Sequence, residues 1–291
     1  MTPLSIALAA AATATAVVGA TTGTLLTMLL LPNPGRMLRS GGDPATYGLD
    51  ARDVQVRAGT RGWYIERPGA SQCVLLVHGR SRARGWMLPL AAAIAQRHSV
   101  LVIDLPGHGT SPRGFCTYGV REQEAVRASL DWLCAQGWQR VCAVGTSMGG
   151  VAVLLAVTAP SFQGTPADRA LAGVVTIGAF TRLTDVLDVV ARRNGLPRQA
   201  ATPLARAAGR IAGYDPADAA PIDHVHRLRA PYLAVQGAQD ELVPTHHAGQ
   251  LATAAPQVGA QAAHYAGGHD EPSNPDLQRI VLGFLDRRAA R

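Results

Sequence analysis

Gly145-Thr146-Ser147-Met148-Gly149 is the stretch of sequence that decides the fold. The apolar run Arg140–Gly145 predicts a buried strand before it, and the small-residue run Gly149–Ala159 predicts a helix after it. Glycines on both sides of Ser147 permit a sharp turn that lifts the serine hydroxyl above the end of a sheet. The pattern therefore predicts a nucleophilic serine at a strand–turn–helix junction. A glycine-rich turn with an incidental serine is the alternative interpretation.

Strand-length apolar runs alternate with helical patterns on both sides of this junction. The predicted strands are Asp53–Arg57, Gly62–Glu66, Cys73–His78, Val100–Asp104, Arg140–Gly145, Leu171–Ala179, Pro231–Gln236 and Gln261–Tyr265. The predicted helices include Met87–Arg97, Arg121–Gln136 and Leu277–Arg288. This alternation predicts an α/β fold with a doubly wound, mostly parallel sheet.

One long segment interrupts the alternation, between the strands that end at Ala179 and begin at Pro231. It exceeds what a simple crossover needs, and it carries helical patterns at Leu183–Arg193 and Pro203–Ala212. We expect an insertion at about residues 180–226 to form a small helical cap. In open α/β sheets ligands bind at the carboxyl ends of the strands, so the cap is expected to cover the binding site.

Two further stretches carry a family resemblance. His78-Gly79-Arg80-Ser81 ends a predicted strand, and Asp104-Leu105-Pro106-Gly107-His108-Gly109-Thr110-Ser111 follows another. With the Ser147 turn they resemble the α/β-hydrolase family of esterase and lipase-like serine hydrolases, from about Val54 to the C-terminus. The resemblance implies that the oxyanion hole is formed by the backbone N–H groups of Arg80 and Met148. It also implies a structural role for His108.

The same family places an acid and then a histidine after the nucleophile. Gln236-Gly237-Ala238-Gln239-Asp240-Glu241-Leu242-Val243-Pro244 resembles its acid loop and selects Asp240, with Glu241 as the competing carboxylate. Gly267-Gly268-His269-Asp270 resembles its histidine loop and selects His269 as the base. An acid in this position orients the imidazole and stabilises its charged form. The rival histidines are His246, His247 and His264.

The N-terminal stretch Leu4–Leu31 has no charged residue and exceeds the roughly 20 residues that span a bilayer. We expect residues 1–34 to form a single transmembrane anchor, 35–50 a linker and 51–291 the hydrolase domain. Arg36 and Arg39 follow the stretch, so the positive-inside rule favours a cytoplasmic domain. A cleaved signal peptide with a secreted domain, and a buried core helix, remain open. On the anchor interpretation, deletion of residues 1–31 leaves an active domain.

Composition narrows the functional classes. The net charge is +7, but all 27 basic residues are arginines, and they are scattered along the chain and not stacked in a run. No aromatic-rich single-strand motif accompanies them, which disfavours a nucleic-acid partner. The four cysteines lack zinc-site spacing and are expected to be small apolar residues, with one disulfide left open. No metal or organic cofactor is implied.

These observations predict a membrane-anchored serine hydrolase that cleaves carboxylic esters of small acyl substrates or lipids through an acyl-enzyme. Serine at position 147 disfavours the dehalogenases and epoxide hydrolases of the fold, which carry aspartate there. Amidase or peptidase, thioesterase and acyltransferase activities use the same residues and stay open. The alternative from another class is a non-catalytic binding module at the membrane, which the complete set of motifs disfavours.

Overall fold

The centre of the molecule is an eight-stranded sheet with the order β1-β2-β4-β3-β5-β6-β7-β8. The computed structural model describes residues 26, 27, 29–193 and 198–290. The strands are β1 (Ala51–Gln55), β2 (Arg61–Ile65), β3 (Cys73–Val77), β4 (Ser99–Ile103), β5 (Val141–Thr146), β6 (Leu171–Ile177), β7 (Tyr232–Gly237) and β8 (Gln261–Tyr265). Of the eight strands in this part of the chain, β2 alone runs against the others. The expected mostly parallel sheet is confirmed.

Helices cover both faces of the sheet. They are α1 (Pro34–Leu38), α2 (Leu88–Ala95), α3 (Glu122–Ala135), α4 (Met148–Thr158), α5 (Pro166–Ala170), α6 (Leu183–Arg193), α7 (Arg198–Ala212), α8 (His246–Thr253) and α9 (Pro275–Ala289). Leu75 and Val77 of β3 pack into the core under α3 and α4, whereas Val74 and Leu76 pack into the core under α2 and α9. A strand buried on both faces needs a continuous apolar run, which is why β3 is apolar throughout.

The segment between β6 and β7 contains the two helices α6 and α7. Apolar side chains recur along α6 at helical spacing, at Leu183, Val186, Leu187 and Val190, which gives the helix one apolar side. That side packs toward the core beneath it. Residues 194–197 of the expected cap lie outside the described residues.

The residues expected to form a linker pack on the domain. This stretch contains α1 and a 3₁₀ turn, Pro44–Tyr47, and the side chain of Ser40 is buried. A Cβ atom on Gly85 would lie 2.6 Å from the backbone oxygen of Ser40. The chain between the N-terminal stretch and β1 is therefore held closely against the loop that precedes α2.

Most of the expected transmembrane helix, residues 1–25 and 28, lies outside the described residues. Within the described ranges, no helix combines the length and the apolar character needed to cross a bilayer. The membrane anchor therefore stays a prediction. The four cysteines all lie in the described part and are free thiols, three of them buried, as expected for small apolar residues.

Candidate active site

The turn between β5 and α4 holds Ser147 in a strained backbone conformation, with φ 50° and ψ −121°. The glycines on either side of it, Gly145 and Gly149, are required because backbone atoms pack closely against them. A Cβ atom on Gly149 would lie 2.4 Å from the carbonyl oxygen of His78, and one on Gly145 would lie 2.5 Å from the carbonyl oxygen of Gly149. No larger side chain fits at either position. The glycines of the G-x-S-x-G pattern are therefore explained by the close contacts within this turn and between the turn and the end of β3.

The three residues selected as nucleophile, base and acid come together at the carboxyl ends of three strands. The Ser147 Oγ lies 2.9 Å from His269 Nε2, and His269 Nδ1 lies 2.6 Å from Asp240 Oδ2. With the proton on Nδ1, the imidazole donates to the carboxylate and accepts the hydroxyl proton at Nε2. This is the geometry that a serine nucleophile, its base and an orienting acid require.

The carboxylate of Asp240 is buried and held on both oxygens. Its Oδ1 accepts hydrogen bonds from the backbone N–H groups of Leu242 and Val243, both at 2.9 Å. Its Oδ2 also accepts from the side-chain amide of Gln236 at 2.5 Å. Sequence reasoning missed Gln236, because no motif position distinguishes it from any other polar residue at a strand end. These hydrogen bonds fix the orientation of the carboxylate, and Oδ2 is the oxygen that faces the imidazole of His269.

Glu241, the competing acid, points elsewhere. Its side chain is 79 % exposed and pairs with Arg193 at the end of α6, 2.7 Å away. The side chain of Asp240, in contrast, is fully buried where it meets His269. The geometry therefore favours Asp240 as the partner of His269.

The three rival histidines lie away from Ser147. His246 and His247 stack on each other at the start of α8, with ring centroids 4.5 Å apart. The Nδ1 of His247 lies 2.8 Å from the hydroxyl of Thr181, and His264 is exposed on β8. In the described part of the chain, none of the three hydrogen-bonds to Ser147.

The two expected oxyanion donors flank Ser147. Met148 is the first residue of α4, where a helix leaves its N–H without an intrahelical partner. Arg80 follows Gly79, and a Cβ atom on that glycine would lie 3.2 Å from the Cβ of Ser147. Among the described residues, neither backbone N–H donates to a protein acceptor. Both remain available to a charged oxygen formed beside Ser147.

Two buried histidines hold the loop that carries Arg80. The Nε2 of His78 accepts from the N–H of Leu105 at 3.0 Å, while its Nδ1 donates to the carbonyl of Gly79 at 2.8 Å. The Nε2 of His108 accepts from the N–H of Ser81 at 3.1 Å. Burial lowers the pKa of His78 to about 4 and that of His108 to about 3. Both rings are neutral near pH 7, and both support the loop rather than touching Ser147.

A cavity of about 1350 Å³ opens directly above Ser147 and His269. Cap residues form one wall, and residues from the end of the uncharged N-terminal stretch and just beyond it form another. The apolar side chains on these two walls are Leu29, Leu31, Pro32, Val186, Leu187, Val190 and Leu204. The arrangement places Ser147 at the end of a large, mainly apolar space.

We call residues 29–37 the strap, because residues of this segment line the cavity and hydrogen-bond to the loop beside Ser147. The Arg80 Nη2 donates to the carbonyl of Leu31 at 3.0 Å, and the N–H of Asn33 donates to the Ser81 Oγ at 2.9 Å. Leu30 is buried against α7. Sequence reasoning did not foresee this contact, since an apolar stretch before a linker fits a membrane anchor equally well.

The comparisons with known proteins agree with this fold. A family model described as the alpha/beta hydrolase family matches residues 74–278, and the chain belongs to that family. It is similar to an uncharacterized protein of Mycobacterium tuberculosis, 27 % identical over 264 residues that span 88 % of this chain and 82 % of that protein.

Solved structures of the same fold include esterases and lipases. An esterase of Pyrococcus furiosus matches with a TM-score of 0.69 at 16 % identity, over 89 % of this chain and 98 % of that one. A bacterial membrane phospholipase A matches with a TM-score of 0.60 at 18 % identity, over 98 % of both chains. At these identities, the likeness shows the fold alone.

Proposed function

We propose that this protein is a serine hydrolase that cleaves carboxylic esters. The observation that carries the proposal is the hydrogen-bonded chain from Ser147 through His269 to Asp240 at the end of an apolar cavity. A hydroxyl becomes a strong nucleophile only when a base takes its proton. These three side chains supply the nucleophile, the base and the orienting acid in contact with one another.

The reaction proceeds in two halves. The Ser147 hydroxyl attacks the ester carbonyl while His269 takes its proton, and the N–H groups of Arg80 and Met148 stabilise the oxyanion. His269 then gives the proton to the leaving alcohol, and the acyl group remains on Ser147. Water, deprotonated by His269, attacks the acyl-enzyme and releases the acid. Throughout, Asp240 stabilises the charged imidazole.

The cavity favours an ester of an aliphatic acid. Its volume of about 1350 Å³ exceeds the usual range of about 300–1,000 Å³ for small-molecule pockets. An extended acyl chain buries its methylene groups there at a gain of about 0.8 kcal/mol each. A peptide would instead leave backbone polar groups against apolar walls, at a cost in free energy. This asymmetry supports ester hydrolysis over peptide hydrolysis.

The test is hydrolysis of 4-nitrophenyl esters of increasing acyl length by the full chain and by Ser147→Ala. We expect activity on medium-length chains and a loss on the order of 10⁴-fold or more in the variant. Ser161→Ala is the matched control, since Ser161 is exposed and lies outside the cavity lining. Substantial activity in Ser147→Ala would show that another residue is the nucleophile.

A further inference from the structure

Three arginines line the cavity without an acidic partner. They are Arg36, Arg80 and Arg113, and in the part of the chain that the structure describes none of them forms an ion pair. Asp270 is the one acidic residue among the described lining residues, and its carboxylate lies 3.4 Å from Arg82 Nε. The cavity therefore carries a net positive charge beside its apolar walls.

Arg80 is the most enclosed of the three. One of its terminal nitrogens donates to the carbonyl of Leu31, and its guanidinium carbon lies 5.5 Å from the ring centre of Tyr118. Its Nε is buried and has no hydrogen-bond partner. A buried cation with an unused donor lowers stability unless an anion pairs with it. The loop that would stabilise the oxyanion thus also presents an unneutralised charge to the cavity.

Arg36 and Arg113 come from different parts of the chain. Arg36 lies half-buried on α1 within the strap, and Arg113 lies exposed just before the buried Cys116, whose N–H donates to the carbonyl of Leu30. The strap and the 112–115 loop therefore meet at the cavity. Together with Arg80, the two side chains add positive charge to the lining of the same cavity.

We propose that the cavity takes an acyl ester that also carries an anionic group. The acyl chain lies between the cap and the strap, and the anion pairs with Arg80 and with the arginines at positions 36 and 113. Guanidinium groups bind phosphate and carboxylate with paired, charge-assisted hydrogen bonds. This inference rests on the proposed function, and it names the substrate class as anionic amphiphiles.

The first arm of the test measures binding to the full chain by calorimetry, with octyl phosphate, nonanoate, octyl glucoside and inorganic phosphate as probes. We expect octyl phosphate to bind at least about tenfold more tightly than octyl glucoside, because charge-assisted bonds are about twice as strong as neutral ones. Nonanoate distinguishes carboxylate from phosphate recognition. Inorganic phosphate shows how much the anion binds without its apolar chain.

Variants test whether the preference for octyl phosphate depends on the arginines of the cavity. Arg80→Met keeps the backbone N–H, and Arg113→Gln alters an exposed side chain. Each variant is expected to reduce the preference for octyl phosphate at least about threefold. Arg287→Gln removes the same charge from an exposed position on α9 outside the cavity lining, and it should leave the preference unchanged. Equal loss in all three variants would indicate only a nonspecific effect of net charge and would overturn the proposal.

The second arm compares kcat/KM for hexanoyl esters of glycerol phosphate and of glycerol. A preference for the phosphate ester that falls in Arg80→Met and Arg113→Gln supports the proposal. Equal rates on both esters, with equal binding of octyl phosphate and octyl glucoside, would overturn it while the proposed hydrolysis stands. Tight octyl phosphate binding without hydrolysis of either ester would support the anion site and reject the hydrolase mechanism.

Discussion

At several positions of this site, close contacts with neighbouring atoms permit only one type of residue. Ser147 adopts a positive φ of 50°, which costs a residue with a side chain about 1–3 kcal/mol. Gly145 and Gly149, on either side of it, have no Cβ atom that would collide with the neighbouring backbone. The sequence predicted this turn because all its constraints fall within five neighbouring positions. The role of Gln236 could not be predicted, since its contact with Asp240 depends on the path of the loop between them.

A comparison of two glycines tests the packing at the turn. Gly149→Ala would place a Cβ atom 2.4 Å from a backbone oxygen, so we expect the free energy of unfolding to fall by about 1–3 kcal/mol or more. Gly249→Ala is the control, because a Cβ atom there meets nothing within 4 Å. Since Gly249 lies inside α8, alanine should raise stability by about 0.5–1 kcal/mol. Urea denaturation measures both, and equal effects would contradict the packing argument.

The choice of acid can be tested at two adjacent positions. Asp240→Asn should fold normally but lower kcat on the order of 10⁴-fold, because the imidazole loses the partner that fixes its tautomer. Glu241→Gln should have little effect, since Glu241 contacts Arg193 and not His269. Steady-state kinetics on one 4-nitrophenyl ester decide between them. A greater loss in Glu241→Gln would mean that the wrong carboxylate has been chosen.

At the scale of elements, the strap is the part that the sequence did not reveal. Its contacts with Arg80 and Ser81 join residues about fifty positions apart. No local sequence pattern predicts a contact between residues so far apart. The cap helix α6 was foreseen because its apolar residues recur at helical spacing. The strap lacks comparable periodicity. Its apolar residues suit a membrane, a core or a cavity wall equally well.

Truncations test whether the strap belongs to the site. Deletion of residues 2–37 removes the Leu31 and Asn33 contacts with the loop beside Ser147, so we expect esterase activity to fall at least about tenfold. The contact of Leu31 with Arg80 thus leads to a different prediction from the expectation that residues 1–31 can be removed without loss. Deletion of residues 2–25 is the control, because the contacts described for the strap lie beyond it. Circular dichroism verifies folding, and full activity after the longer deletion would contradict the assignment.

At the scale of the whole molecule, a sheet buried on both faces made the fold predictable. The long apolar strands and the helices between them are encoded locally, and each motif at a strand end falls at the same edge of a parallel sheet. The observed strands differ from the expected ones by a few residues at their ends. The shape of the cavity was not predictable, because the cap, the strap and the 112–115 loop meet only after folding.

The lowered pKa values of three buried histidines lead to a prediction of how the free energy of unfolding depends on pH. Burial lowers the pKa of His78, His108 and His247 to about 4, 3 and 4, below the ordinary value of about 6.5. The unfolded chain therefore binds more protons between pH 6.5 and about 4. The stability from these neutral rings is present above pH 6.5 and is lost as the pH falls. We expect a decrease of about 1.4 kcal/mol per pH unit for each histidine.

Urea denaturation between pH 7 and pH 4.5 measures this slope. His247→Asn keeps an acceptor for Thr181 and should reduce the slope by about one histidine's share. His264→Asn alters an exposed histidine of β8 and should leave the slope unchanged. An identical slope in wild type and His247→Asn would show that His247 does not contribute.

The most direct test of the central claim is labelling of the full chain with a fluorophosphonate, followed by mass spectrometry of its peptides. Such a reagent forms a stable bond with an activated serine. We predict a single adduct on Ser147 that is greatly reduced in His269→Ala, because the hydroxyl then lacks its base. Among the described residues that line the cavity there are two other serines, Ser81 and Ser111. An adduct on either of these, or no adduct on Ser147 in the folded protein, would contradict the proposed mechanism.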